Sequence, residues 1–190
     1  MLRAELARLL LFLYIKLMSR GFVKEDDLEH AGTDVPERQI SAHPNYVTAN
    51  GYAQLQAEAV ALEQTIIKLK AKKDDQQTQQ QLAIANRDLR YVAARLEHAL
   101  LTKPDAASIA LNKNMPDHVV FGTKVTVEDE NGIAQSYEIV GEDEADVKAG
   151  KVSWTSPLAN ALIGHKLDEE VVWARPAGNQ TLTITHIEYI

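Results

Sequence analysis

The chain of 190 residues contains no cysteine. Structural disulfides, zinc–thiolate centres and thiol nucleophiles are therefore excluded. Aromatic residues make up only 6% of the chain, too few to favour the aromatic-lined cleft that a peptide-binding site needs. Positive charge is not in excess either. The net charge is −7, which keeps the chain soluble and argues against a dedicated DNA- or RNA-binding protein. His30, His43, His98, His118, His165 and His186 show no HExxH or paired-ligand spacing and read as ordinary surface or packing residues. The apolar run Leu9 to Ile15 is too short for a bilayer span, which takes about 20 residues. Arg3 and Arg8 precede it as in a signal peptide, but no small-residue cleavage site follows. Over residues 1–17 we expect an apolar leader that packs as a short helix, or a true translation start at Met18, rather than a membrane anchor. The composition suits a reducing cytoplasm.

Two heptad ladders stand in the middle of the chain. One runs through Tyr52, Leu55, Ala59, Leu62, Ile66 and Leu69, the other through Leu82, Ala85, Leu89, Val92, Leu96 and Ala99. Paired from the inside outward, 69 with 82 and finally 52 with 99, the numbers of every pair sum to 151. Antiparallel helices joined by a short turn require this relation, because one layer back on one helix is one layer forward on the other. Large and small residues alternate across the layers, as in Leu55–Leu96 against Ala59–Val92. The fold point falls between Asp75 and Gln76. Thr48 is the expected N-cap of the first helix, which runs to about Lys73. The second is expected from near Thr78 to near Leu101, with Asp74 and Asp75 at its positive end. An arm of about 27 residues reaches roughly 40 Å at 1.5 Å per residue.

Residues 18–46 sustain no apolar period and read as an acidic, mostly disordered arm ahead of the hairpin at 47–102. Residues 103–118 read as a linker. Beyond it the period becomes strand-like. TKVTVEDENGIAQSYEIVG alternates around Asn131-Gly132, a strong hairpin signal. A loop rich in Glu and Asp follows, then a strand at Lys151–Trp154 and the helix SPLANALIG, with Ser156 as N-cap, Pro157 at the first helical position and Gly164 closing it. Two more strands flank a Pro-Ala-Gly turn. The fold class is α+β: a helical hairpin plus a small antiparallel sheet with one helix over 119–190. Its core is expected from Val125, Val127, Ile139, Leu158, Leu162, Val172, Leu182, Ile184 and Ile187. Trp154 and Trp173 are expected to pack there, and Leu62 and Leu89 to be structural.

NYVTANGYAQLQAEAVAL at the start of the hairpin, VVFGTKVTVEDENG and YEIVGEDEAD in the sheet, and VSWTSPLANALIGHKLDEEVVWARPAG together resemble the Gre family (GreA/GreB-like) of bacterial transcription elongation factors. The likeness spans Asn45 to Ile190, and the opening SRGFVKEDD with a short hairpin is more like a divergent branch. It implies an FKBP-like C-terminal domain that docks at the secondary channel of RNA polymerase through an edge around Ser156 and Pro157. It implies that the hairpin enters the channel with its tip toward the catalytic Mg²⁺. Tip carboxylates of the family help hold a second Mg²⁺ and position a water that cleaves backtracked RNA, chemistry that suits a hard cation and an oxygen ligand. This tip, KAKKDDQQTQQQ, lacks the family's Gly-Asp-x-Ser-Glu-Asn-Ala type stretch, and adjacent aspartates do not reproduce its spacing.

Several residues keep two readings. Asp74 and Asp75 are either metal-directed carboxylates or a solvated turn that stabilises the second helix. Lys68, Lys70, Lys72 and Lys73 are either a basic patch for RNA or acidic channel walls, or a soluble face. Arg87, Arg90 and Arg95 share that ambiguity. Ser156 and Pro157 serve docking, or capping alone. The expected function is an accessory factor that binds RNA polymerase and regulates elongation, with stimulated cleavage of backtracked RNA as its further activity. It would be a monomer, not an enzyme, with no cofactor of its own beyond the polymerase Mg²⁺ it shares, and would touch DNA and RNA only through the elongation complex. The alternatives are a non-cleaving channel binder that competes with cleavage factors, a nucleoside diphosphate kinase regulator of the same architecture and, last, an FKBP-type peptide-binding module.

Overall fold

Both hairpin helices begin at side-chain caps. Thr48 accepts the Gly51 N–H at 2.9 Å and opens α1, Ala49–Lys70. Asp75 accepts the Thr78 N–H at 2.7 Å and opens α2, Gln76–Glu97. Each cap satisfies an amide that the first helical turn leaves unpaired. The computed structural model describes residues 35–72, 75–102 and 116–190. The leader at 1–17, the arm through 34, Lys73, Asp74 and the linker at 103–115 lie outside the described residues. Residues 37–190 form one compact unit.

All twelve ladder residues pack where the heptads put them. Tyr52, Leu55, Ala59, Leu62, Leu89, Val92, Leu96 and Ala99 share one cluster with Val47 and Tyr91. Ile66, Leu69, Leu82 and Ala85 form a second near the tip. Both members of every expected pair fall in the same cluster. Each helix has 22 residues, so the rod is about 33 Å long, shorter than the expected arm. Both helices end earlier than expected. Helix α1 stops at Lys70, with Ala71 as its C-cap, three residues before Lys73, while capping by Asp75 starts α2 two residues before Thr78. Downstream, Leu100–Leu101 leaves the helix to form β2, paired in parallel with β1 at Tyr46–Val47.

The C-terminal domain is a five-stranded sheet ordered β5-β4-β3-β7-β6. Its strands are β3 at Thr123–Asp129, β4 at Ala134–Val140, β5 at Lys151–Ser153, β6 at Glu170–Trp173 and β7 at Gln180–Tyr189. The sheet is mixed rather than wholly antiparallel. β4 and β5 pair in parallel because a crossover with two 3₁₀ turns, Glu142–Glu144 and Val147–Ala149, joins them. The β3–β4 hairpin turns at Asn131-Gly132 as expected. Its loop has three residues, 130–132, with a turn from Asp129 O to Gly132 N and Gly132 at φ 75°. This is the type I turn plus left-handed residue of a three-residue hairpin loop.

Helix α3, Pro157–Leu162, starts at Ser156, which accepts the Ala159 N–H at 3.2 Å. Leu158, Ala159 and Leu162 drop from it into a core of Val119, Val125, Val127, Ile139, Val152, Val171, Leu182, Ile184 and Ile187. Trp154 and Trp173 are half-buried against it. Leu182, Ile184 and Ile187 break a strict period of two, and a register shift between Thr126 and Val127 explains this. The bulge adds one residue to β7 and returns Ile187 to the core face. One expected core residue is wrong: Val172 is 58% exposed, and its neighbour Val171, paired with Leu182, is 4% exposed. On an edge strand with two adjacent valines, the period alone does not choose the face, and the pairing with β7 does.

Leu55 is 3% exposed in the hairpin seam. Leu55→Ala is expected to cost about 2–5 kcal/mol through lost burial and a cavity, read as a lower urea midpoint with an unchanged slope.

Candidate functional site

Two regions carry the charged groups: the far end of the hairpin and its junction with the sheet. At the far end, Lys68, Lys70 and Lys72 are exposed, as is Asp75. The cluster behind them contains hairpin residues only among the described residues, so this end packs on itself. The Asp75 carboxyl is held below its usual pKa, chiefly by the bonds from Thr78 and further by Lys72. It is therefore ionised at neutral pH and already serves as a helix cap. Among the described residues no group of three or more His, Asp or Glu can hold a metal ion. On the sheet domain, Ser156 is half-buried as the α3 cap and Pro157 is exposed beside it. The structure brings Lys68, Lys70, Lys72 and Asp75 to one end, and sets Ser156 and Pro157 apart on the globular body.

The junction is made by three consecutive carboxylates. Residues Glu142, Asp143 and Glu144 occupy one 3₁₀ turn after β4. Arg95, in the last turn of α2, is 2% exposed. Its Nε donates to Asp143 Oδ2 at 2.5 Å and its terminal nitrogen to Glu142 at 3.1 Å. The Tyr91 hydroxyl donates to the other oxygen of Asp143 at 2.7 Å. Burial first, and then this bond to a carboxylate, push the Tyr91 pKa up to about 12. The Arg38 guanidinium stacks 3.6 Å from the centre of the Tyr91 ring, a favourable placement of a cation on a π face. Ser41 donates to Glu142 at 2.8 Å, and the Asn45 side chain donates to the Arg95 carbonyl at 2.6 Å.

Glu144 grips the other helix. Its carboxylate accepts from the Thr48 hydroxyl at 2.5 Å, from the Asn50 amide at 2.9 Å and from Lys151 Nζ at 3.0 Å. Thr48 thus spends its single proton on Glu144 and a lone pair on the Gly51 amide. Burial raises the Glu144 pKa, but the bonds from Thr48, Asn50 and Lys151 outweigh it and leave the pKa below the ordinary value. The approach is close at two glycines, against the end of a side chain at the first and against backbone, which requires glycine, at the second. A Cβ at Gly51 would lie 2.5 Å from Glu144 Oε2, and one at Gly141 would lie 2.6 Å from the Tyr46 carbonyl.

In the sequence Arg95 is one of several ambiguous cations and 142–144 an acidic loop; the structure pairs them. One signal was available. A glycine in the first turns of a helix costs up to about 1 kcal/mol, so Gly51 called for a close neighbour. Among the described residues no helix is long and apolar enough to cross a membrane.

Residues 113–189 match the family model described as transcription elongation factor, GreA/GreB, C-terminal domain. The chain is 43% identical over 100 residues to transcription elongation factor GreA of Pelobacter propionicus, covering 52% of this chain and 63% of that protein. It is 53% identical over 75 residues to GreA of Trichlorobacter lovleyi, covering 39% and 48%. The chain thus spans about half to just under two thirds of the length of these curated relatives. A loose overlay on the crystal structure of GreA factor homolog 1 (Gfh1) of Thermus thermophilus has TM-score 0.35 at 22% identity, covering 77% of this chain and 99% of that one.

Because the native Glu144 pKa lies below the ordinary value of 4.5, its contribution is present above that pH and is lost as pH falls through the native pKa. Urea midpoints from pH 7 downward are expected to fall off on the acid side of 4.5, and Glu144→Gln to lower the pH 7 midpoint and shallow that decline. At the tip, Asp75→Ala should reduce helical circular dichroism, while Asp75→Asn should retain it, because asparagine caps equally well.

Proposed function

We propose, since the sheet domain of this chain belongs to the GreA/GreB transcription elongation factor family, that the protein binds RNA polymerase and regulates elongation through the polymerase secondary channel. The sheet domain docks at the channel rim by the edge that Ser156 and Pro157 head, and the hairpin projects inward. The observation that carries this reading is the family match over 113–189 joined to a self-packed rod of two 22-residue helices. A slender arm whose twelve ladder residues are spent in its own seam, with Val60, Ile67 and Ile84 left exposed on its outer faces, suits a narrow, water-filled channel better than a flat protein interface. Any bond cleavage belongs to the polymerase and its metals. This chain supplies reach, charge and position, and acts as an accessory factor rather than an enzyme.

Lys68, Lys70 and Lys72 offer exposed ammonium groups to RNA or to acidic channel walls, a screened interaction that weakens with salt. A carboxylate directed at Mg²⁺ is supplied by Asp75, with Asp74 as its neighbour in sequence. A second reading, in which the protein occupies the channel without promoting cleavage, is favoured by one detail: the Asp75 oxygen that bonds Thr78 is already committed to the α2 cap.

The wild-type protein is expected to co-purify with core RNA polymerase at low salt, and absence of association rejects the proposal. Stalled, backtracked complexes then separate the two readings. If the tip takes part in cleavage, Asp74→Ala/Asp75→Ala slows release of the 3′ RNA fragment by at least about tenfold, the effect of losing about 1.4 kcal/mol of transition-state stabilisation. Equal effects of wild type and double variant assign the protein to the non-cleaving class.

A further inference from the structure

We infer that Glu142, Asp143 and Glu144 act with Arg95 and Thr48 as a two-point clasp that sets the direction of the hairpin, which makes them positioning residues for the proposed activity. The inference rests on that functional reading for its consequence, but its geometry stands alone. A hairpin tied to a domain at one point can pivot about it. Here one 3₁₀ turn holds both helices at once: Glu142 and Asp143 take Arg95 of α2, and Glu144 takes Thr48, the cap of α1. Lys151 of β5 holds Glu144 from the sheet side at 3.0 Å, so the grip is anchored in the globular body. Asn45 adds a tie from the chain ahead of α1 to the backbone of α2. Gly51 and Gly141 keep these backbones close enough for the bonds to form.

Leverage makes the clasp matter. Over a rod of about 33 Å, an angular slack of 10° at the base moves the far end by roughly 6 Å. A catalytic or metal-directed group tolerates far less, since displacement by about 1 Å can cost on the order of a hundredfold in rate. Bidentate pairing of a guanidinium with carboxylates is directional, so it restrains angle as well as distance. The seam residues keep the two helices together, and the clasp aims them. Loss of the clasp should therefore leave the hairpin folded and the sheet domain able to dock, while the far end samples a wider arc.

The absence of cysteine makes the test direct. Spin labels on cysteines introduced at Gln80, exposed near the tip, and Asn179, exposed on the sheet domain, report hairpin direction in the free full-length protein. Three backgrounds are compared: the native sequence, Glu142→Gln/Asp143→Asn, which removes the charges at near-constant shape, and Arg95→Lys, which keeps the charge and loses the fork. We expect a single narrow distance distribution in the native background and at least a twofold broadening in both variants, with helical circular dichroism unchanged. With polymerase, we expect at least a fivefold weaker effect on backtracked complexes at saturating protein, and apparent affinity within about twofold of native. Unchanged distributions in both variants overturn the clasp. So does an affinity loss that accounts for the whole loss of effect. A native protein that fails to bind polymerase removes the functional reading, and the distance distributions still decide whether the clasp sets the direction.

Discussion

A carboxylate withdrawn from water must have its hydration replaced by donors, or it protonates or the structure gives way. Glu144 meets that condition from three directions: a hydroxyl and an amide from the start of α1, and an ammonium from β5. Its two neighbours meet it through Arg95, itself buried and dependent on them. Each group is tolerable only with the others in place. A buried ion pair of this kind adds little net stability over an apolar contact, yet removing one partner strands a desolvated charge at a cost of about 3–5 kcal/mol. Its effect is therefore on geometry more than on stability. The pairs admit one arrangement of hairpin and sheet and penalise the rest.

Division of labour within the hairpin follows from this. The distal cluster of Ile66, Leu69, Leu82 and Ala85, joined to the proximal one through Leu89, contains hairpin residues only among the described residues, so the far end packs without help from the sheet. Toward the base, the proximal cluster takes in Val47, and β1 pairs with β2 to close the foot of the hairpin. Tyr46 then meets Trp154 at 5.1 Å and Phe121 at 5.7 Å, which adds apolar contact between foot and sheet. A rod with an independent tip and a committed base suits a protein that acts at a distance from where it docks.

Periodic features were legible in the amino-acid order because they are local and repeated. Twelve ladder positions share one arithmetic relation, and both members of every pair fall in one cluster. The caps at Thr48 and Ser156 and the turn at Asn131-Gly132 were legible for the same reason, since each depends on a few adjacent residues. The start of α2 was misplaced because a carboxylate is ambiguous in sequence. In sequence Asp75 reads as a dipole-stabilising charge, and only the bond to the Thr78 amide makes it the cap.

What the sequence alone determined is the antiparallel hairpin, the sheet-and-helix domain after it and most of that domain's core, because burial imposes a period on residues close in the chain. Tertiary structure alone decided which face of β6 turns inward, that β5 joins the sheet in parallel, and that Arg95 is an interior group. Each of these depends on a neighbour distant in sequence: Leu182 for Val171, Glu138 for Lys151, and Asp143 for Arg95. An arginine and an acidic run 47 or more positions apart carry no mark of their pairing until the chain folds and water is excluded from between them.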